Sequence, residues 1–577
     1  MKINKIKAMI PAAAFLLAAS ITSCTKDLDK GNINPNVEKT ADINGLYAKC
    51  YAGLIMEGND GGADFSIDDA GKSTLLRNTF NLNCLPTDEA ICWWSDGGIV
   101  NLCYNQQTAG DLIVKFPYYR LVSNIGFCNH YIELFSGEDA TMLAEVRFIR
   151  AYNYYLMLDF YGDPSFTTTI SPDPPKQAHA YNANFNPSAT YSRADLLAMG
   201  REFLFNWVKS EIEAVEPNLQ SPHFKTDSDP DYGRIDKAAA WLLLSRMYLN
   251  AGTYLNNDGQ NNPYWDQALA YAEKVINDSG YELFTEDKMQ QVAKDNGYQP
   301  YDLLFMGDNG SNGASCEAIL PLKQDGQITQ GWGGSMFFIA AMWNADDDKK
   351  PERNLRTVTG QTAGTSAINW SGMRARPQLI EKFTSNPSSF EGKTAKEIRA
   401  MNIDDRALFT GKGRSLNLSP NTEFFQGFAT VKWNNNYSNG GTPHNDYSVD
   451  TDFFLFRVAE AYLNAAEAAI QLYGPMDSKV NKYMDAIRNR AHAATKSTYT
   501  LSDVLDERAR EFYFEGYRRV DLVRFNKYGG QDSYNWDYKN GDEDGTKKIK
   551  FDKKRNVFPL YSDEIMANSN LTQIDGY

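Results

Sequence analysis

The chain has 577 residues, 42% of them hydrophobic and 23% charged. That ordinary globular mixture excludes a disordered chain, a collagen-like fibre and a small disulfide-held scaffold, and it supplies enough apolar surface for a core. Lys and Arg total 58 against 73 Asp and Glu, a formal charge of −15; with no basic run to override that balance, nucleic acid is not an expected partner.

In chain order, Lys2, Lys5 and Lys7 precede an apolar stretch from Ala8 to Ile21, which closes on Thr22, Ser23 and Cys24. A basic start, a short greasy middle and small residues before a cut site predict a secretory leader over residues 1–23. As a helix the stretch would rise only ~21 Å, short of a ~30 Å hydrocarbon core, and Pro11 interrupts it. An aliphatic residue and two small ones before cysteine resemble a bacterial lipobox. Cleavage there leaves Cys24 as the lipid-bearing first residue, and two or three acyl chains anchor almost permanently. Six cysteines remain once Cys24 is set aside, namely Cys50, Cys84, Cys92, Cys103, Cys128 and Cys316. Their spacing matches no zinc pattern, so buried thiols, one or two disulfides, and a metal at Cys128-x-His130 all stay open.

Helical periodicity dominates the rest of the chain. Phe148, Ala151, Tyr152, Tyr155 and Leu156 share one helix face within 140–161. Ile235, Ala238, Ala239 and Leu242 form one stripe, and Ala240, Leu243, Leu244, Met247, Tyr248 and Ala251 form another. Two stripes predict a helix over 236–252 with neighbours on two sides, capped by Asp236 and ended by Gly252. A second helix is expected from Asn262-Pro263 to Gly280, with Pro at its first position. A similar pair recurs at 452–472 and 478–494, and a long helix is expected from Asp503 to Asn526. The spacing is far from the roughly 34-residue period of regular tetratricopeptide repeats, so the repeats are degenerate. The stretches 57–115, 165–190, 300–450 and 530–577 are rich in Gly, Asn, Asp, Pro and aromatics, and read as long loops. The expected fold is therefore mainly α: tetratricopeptide-like helical hairpins with long irregular loops and a few short strands. It forms one domain over 24–577, with its scaffold at about 118–161, 195–280 and 452–527.

Several candidate chemistries fail on inspection. Gly71-Lys72-Ser73 lacks the glycine that a phosphate-binding loop needs, since Ser66 stands there. Asp227, Asp229, Asp231 and Gly233 resemble a calcium loop, but Ala238 occupies the position of the bidentate glutamate; no cofactor is expected, with a structural calcium left open. Asp88 and Glu89 are neighbours that diverge in any regular element, and no nucleophile elbow or His-Glu-x-x-His occurs, so an enzyme is disfavoured. Aromatic loops are more informative. Trp93 and Trp94 lie between Cys92 and Ser95-Asp96-Gly97-Gly98, and Trp332 lies within Gly331–Ser335. Glycines let a backbone present a large ring, and an indole stacks on the C–H face of a sugar while an acid such as Asp96 binds hydroxyls. Asn59, Asp60 and Arg374 are weaker candidates from loop chemistry alone.

Specific motifs carry a family resemblance. Glu145–Tyr152 with Asp159–Asp163, Tyr232–Ala240, Glu507–Phe512 with Gly516–Arg524, and Phe558-Pro559-Leu560 with Asn570–Gln573 and Gly576-Tyr577 resemble the landmarks of the SusD/RagB family, in order. The resemblance implies a non-enzymatic lipoprotein of the outer membrane, facing the exterior. It implies capture of an oligosaccharide, or of a peptide as in some relatives, and delivery to a SusC-like TonB-dependent transporter. It also implies that ligands bind in loop regions at about 57–115 and 300–450, where Trp93, Trp94, Asp96 and Trp332 fit.

Overall fold

The computed structural model describes residues 42–57, 70–342, 355–362, 369–418, 423–445, 447–530 and 551–577. It divides into two units, Met1–Ala48 and Lys49–Tyr577. Of the first, residues 42–48 are described and open helix α1 (Ile43–Ala52), where Asp42 Oδ2 accepts the Gly45 N–H at 2.8 Å. All further description concerns the second unit.

Helices dominate it: α2 (Leu75–Cys84), α3 (Leu112–Phe135), α4 (Ala140–Tyr161), α5 (Arg193–Val215), α6 (Lys237–Leu249), α7 (Trp265–Asp278), α8 (Ser335–Ala340), α9 (Val458–Tyr473), α10 (Ser478–Arg490), α11 (Leu501–Phe512) and α12 (Arg518–Arg524). Helix α4 packs between α3 and α5, and α7 lies between α6 and α9, which in turn carries α10. This is a run of helical hairpins, mainly α as the periodicity predicts. Helix starts follow from local chemistry. Asp139 Oδ1 accepts the Thr141 and Met142 N–H groups, Ser192 and Asp195 form a capping box, and Asp236 accepts from Ala238. The two stripes of α6 are both covered, and Ala238 to Leu249 are all buried.

Four short strands form two antiparallel ladders that matter to the site: β1 (Ala90–Cys92), β2 (Ala318–Leu322), β3 (Met373–Ala375) and β4 (Phe453–Arg457). Strand β1 pairs with β3, placing Cys92 opposite Met373, and β2 pairs with β4.

Several boundaries differ from expectation, each for a local reason. Helix α6 stops at Leu249, and Gly252 falls inside a further short helix, Ala251–Asn256. A Cβ on Gly252 would lie 2.6 Å from the Asp258 carbonyl oxygen, so this glycine serves a close approach, not a helix end. Helix α7 begins at Trp265, because the Asn262 side chain first takes the Tyr264 N–H and donates to the carbonyls of Tyr248 and Leu249. The segment expected to be helical from 452 opens as β4, whose five residues are all buried. The long helix from Asp503 is split into α11 and α12 by Phe514 and Gly516, at φ 62° and 87°. Within the loop-like stretch 57–115, α2 forms a helix with nine of its ten residues buried.

Beside the apolar core runs a buried ionic one. Arg406, Arg457 and Arg490 all contact Glu511, with Arg457 and Arg490 also reaching Glu317 and Arg406 reaching Glu507. All six side chains are fully buried. Each charge is compensated, which is the condition under which such groups persist away from water.

Candidate functional site

The β1–β3 ladder sets the site. Leaving β1, the chain presents Trp93 and Trp94; entering β3 from the other side comes Trp370-Ser371-Gly372. The Trp93 N–H donates to the Gly372 carbonyl at 3.3 Å, and its indole N–H donates to the Ser371 carbonyl. The Trp94 indole N–H donates to the Trp370 carbonyl at 3.4 Å. Trp370 in turn faces Trp332, with ring centroids 6.2 Å apart and planes tilted by 41°. Four indoles thus gather around one three-residue segment. Trp93 and Trp332 are 40% and 46% exposed, while Trp94 and Trp370 are half-buried.

Local constraints hold this segment in place. Helix α8 runs into it, since the Ala340 and Ala341 carbonyls accept the N–H groups of Trp370 and Gly372 at 2.8 and 2.7 Å. Ser371 takes φ 54°, a strained choice for a residue with a side chain. Gly372 has no alternative, for a Cβ there would lie 2.2 Å from the Trp94 indole. On the Trp332 side, Thr74 Oγ1 donates to the Gly333 carbonyl at 3.0 Å, and a Cβ on Gly333 would collide with it. The Trp332 N–H donates to Glu57 Oε2 at 3.0 Å. Burial pushes the Glu57 carboxyl above its ordinary value, against the lowering effect of backbone hydrogen bonds that include that of Trp332.

Beneath the indoles lie cations. The Arg77 guanidinium sits 5.4 Å from the Trp94 ring centroid and 5.1 Å from that of Phe337. A cavity of about 160 Å³ opens beside it, lined among others by Lys72, Arg77, Asn78, Asn81 and Asp96. Asp96 lies 3.9 Å from Lys72 Nζ. Asn78 is buried, gives its amide hydrogens to the carbonyls of Lys72 and Thr74, and leaves its Oδ1 with no hydrogen-bond partner. Flat apolar faces beside a pocket of charged and amide groups suit a ligand with one apolar and one hydroxylated side.

The structure therefore brings Trp93, Trp94, Trp332 and Asp96 into one region. Arg374 requires correction. It lies in β3 with no exposed surface, donating from Nε to the Gln426 carbonyl at 2.8 Å and from Nη1 to the Gly372 carbonyl at 3.1 Å. Burial draws its guanidinium down to about 10. It fixes the backbone under the indoles and offers nothing to a ligand. Asn59, Asp60 and Cys24 lie outside the described residues. Sequence reasoning missed Trp370, Arg77 and Glu57. The Asn369-Trp370-Ser371-Gly372 run carries the same glycine-flanked indole signal as the other two loops. No pattern marked Arg77, whose role depends on a fold that stacks α2 against α8.

The acidic candidates are otherwise engaged. Asp88 pairs with Arg518 at 2.7 and 2.8 Å, and Glu89 accepts the Phe514 N–H at 2.7 Å; both are buried. Asp229 accepts from Thr226, and Asp231 pairs with Arg234 at 3.1 Å. Among the described residues no group of three His, Cys, Asp or Glu side chains converges on a point suited to a metal. Nor is any described helix long and apolar enough to cross a membrane.

Comparisons agree with this architecture. A family model described as the SusD family matches residues 341–577. The starch-binding protein SusD of Bacteroides thetaiotaomicron is 32% identical over 618 aligned positions, covering the whole of both chains. SusD-like protein P25 of Formosa agariphila is 24% identical over 70% of this chain and 68% of its own. Among solved structures, surface glycan-binding protein A from Bacteroides uniformis superposes with a TM-score of 0.60 at 17% identity, covering 92% of this chain and 98% of its own. The protein of that name from Bacteroides thetaiotaomicron, in complex with laminarihexaose, gives 0.60 at 16% identity with the same coverage. At such identity the structural likeness speaks for the fold.

Proposed function

The chain belongs to the SusD family, and from this premise we propose that it is a non-catalytic glycan-binding protein of the cell surface. The ligand is an oligosaccharide whose apolar ring faces rest on the indoles of Trp93, Trp332 and Trp370, with Trp94 closing the floor. Hydroxyls turned toward the cavity meet Asp96 and Lys72. The observation that carries this reading is the convergence of four indoles on residues 370–372, two of them open to solvent. The starch-binding and laminarihexaose-bound relatives support the ligand class.

The remaining parts of the proposal rest on the sequence and the family. Lipids on Cys24 hold the protein at the outer membrane facing outward. The captured glycan passes to a SusC-like TonB-dependent transporter, and no cofactor is required. Calorimetry against starch-derived, laminarin-derived and other oligosaccharides tests the ligand, with product chromatography on the same mixtures. Heat of binding with intact glycan is the expected result. Heat only with mixed peptides would replace sugar by peptide as the cargo, and steady release of shortened products would make the protein a hydrolase.

A further inference from the structure

Gly331-Trp332-Gly333-Gly334 is as free a backbone as can carry an indole, since glycine has the widest choice of φ and ψ. Yet each of its glycines meets a side chain where a Cβ would stand. On Gly331 that atom would lie 2.7 Å from Glu57 Oε2, on Gly333 it would collide with Thr74 Oγ1, and on Gly334 it would lie 2.7 Å from Gln324 Oε1. None of the three has a positive φ, so lack of space is what requires glycine. The three side chains come from separate places: Glu57 follows α1, Thr74 precedes α2 and Gln324 follows β2.

Of these, Glu57 takes the N–H of Trp332 itself, on Oε2 at 3.0 Å. An N–H given to a carboxylate makes a stronger bond than one given to a neutral acceptor, and the charge of Arg120 favours the ionised carboxyl against burial. Glu57 also stands on a fixed base. The Asn124 amide of α3 donates to the Gly53 carbonyl at 2.9 Å, and the Met56 N–H donates to the Ala52 carbonyl at 2.7 Å. Leu54 and Ile55 are buried, and Ile55 Cγ1 reaches to 3.4 Å from where a Gly334 Cβ would be.

We propose that Glu57 is a positioning residue for Trp332, holding the ring in place before a glycan arrives, so that the segment leaving α1 belongs to the binding site. The proposal rests on the reading of Trp332 as a ligand-stacking ring. A loop that orders only on binding loses its backbone freedom at that moment and affinity falls; a loop already held avoids that loss. Glu57 acts through the backbone of Trp332 and needs no contact with sugar.

The test labels the full chain with 5-fluorotryptophan, which gives one fluorine resonance for each of ten tryptophans; Trp332→Phe assigns that of Trp332. Without ligand, Glu57→Ala should shift or broaden the Trp332 resonance and, less strongly, that of Trp370, whose ring centroid is 6.2 Å away. Glu57→Gln keeps a carbonyl oxygen for the Trp332 N–H and should restore most of the parent spectrum. Gly331→Ala attacks the same contact from the other side and should move the same resonance, which keeps the test open if Glu57→Ala does not fold. A Trp332 resonance unmoved in both variants, or a loss spread evenly over all ten, overturns the proposal. Titration with maltoheptaose and laminarihexaose then reads affinity. Glu57→Ala should lose most of what Trp332→Ala loses, and the double variant should lose no more than Trp332→Ala alone; additive losses overturn the proposal. A parent whose Trp332 resonance ignores both sugars counts against the ligand reading instead, and the unliganded spectra tell the two failures apart.

Discussion

Replacing Trp332 by alanine isolates the contribution of one open indole. A tryptophan exposes ~250 Å² when free, and Trp332 retains 46% of its surface, leaving roughly 115 Å² open. A sugar ring lying flat covers about half of that, and at ~25 cal/mol per Å² the contact is worth about 1.4 kcal/mol, a tenfold change in Kd. The ring lies outside the core, so the fold should survive. Isothermal titration of Trp332→Ala against the best-bound oligosaccharide should show Kd rising roughly tenfold, with circular dichroism and thermal midpoint unchanged. A Kd within twofold of the parent, in a folded variant, would refute the assignment of Trp332 to the ligand and with it the geometry of the cluster.

The same contacts set other expectations. Gly372→Ala sets a methyl 2.2 Å from the Trp94 ring; overpacking of this kind costs about 1–3 kcal/mol, read by urea denaturation, and glycan binding should weaken further than Trp332→Ala weakens it. Arg374→Ala removes the bonds to the Gly372 and Gln426 carbonyls, so it should lower the thermal midpoint, whereas a true ligand residue would alter Kd alone. Glu511→Gln leaves Arg406, Arg457 and Arg490 short of a buried partner and should cost about 3–5 kcal/mol in urea unfolding. Burial alone would raise the Glu507 carboxyl, but Arg406, Arg510 and Arg488 hold it at about 2. Its unfolded value is ~4.3, so it contributes stability above that pH and loses it as pH falls toward about 2; urea midpoints should drop across that window, and less steeply in Glu507→Gln.

The sequence made the scaffold legible because helices are periodic. The stripes of α4 and α6 reflect burial directly, and Asp139, Ser192 and Asp236 are local signals that act where they stand. What escaped were features decided by distant partners. Strand β4 reads as the start of a helix until β2 is there to pair with it. The break after α11 depends on Phe514, whose N–H is claimed by Glu89 more than four hundred residues away. At the site, Trp93, Trp94 and Trp332 were visible because glycine beside an indole is unusual in a core. Arg374 misled for the opposite reason: a guanidinium in a loop-rich stretch reads as exposed, yet here three-dimensional pairing of β1 with β3 swallows it. Arg77 shows the same limit, being one residue of an amphipathic helix until Trp94 and Phe337 fold over it.

The ionic knot at Glu511 has an architectural consequence. It ties α10, α11, β4 and the turn before β2 to a single point, and it works like a keyed lock. Sliding α10 by a turn would put Ala486 or Ala494 where Arg490 stands and leave Glu317 and Glu511 short of a buried cation, so this seating is favoured over its neighbours. With the frame indexed in this way, the segments that reach out from it are free to change length and wording. A lineage could rewrite which polymer it grips without renegotiating how the frame stands.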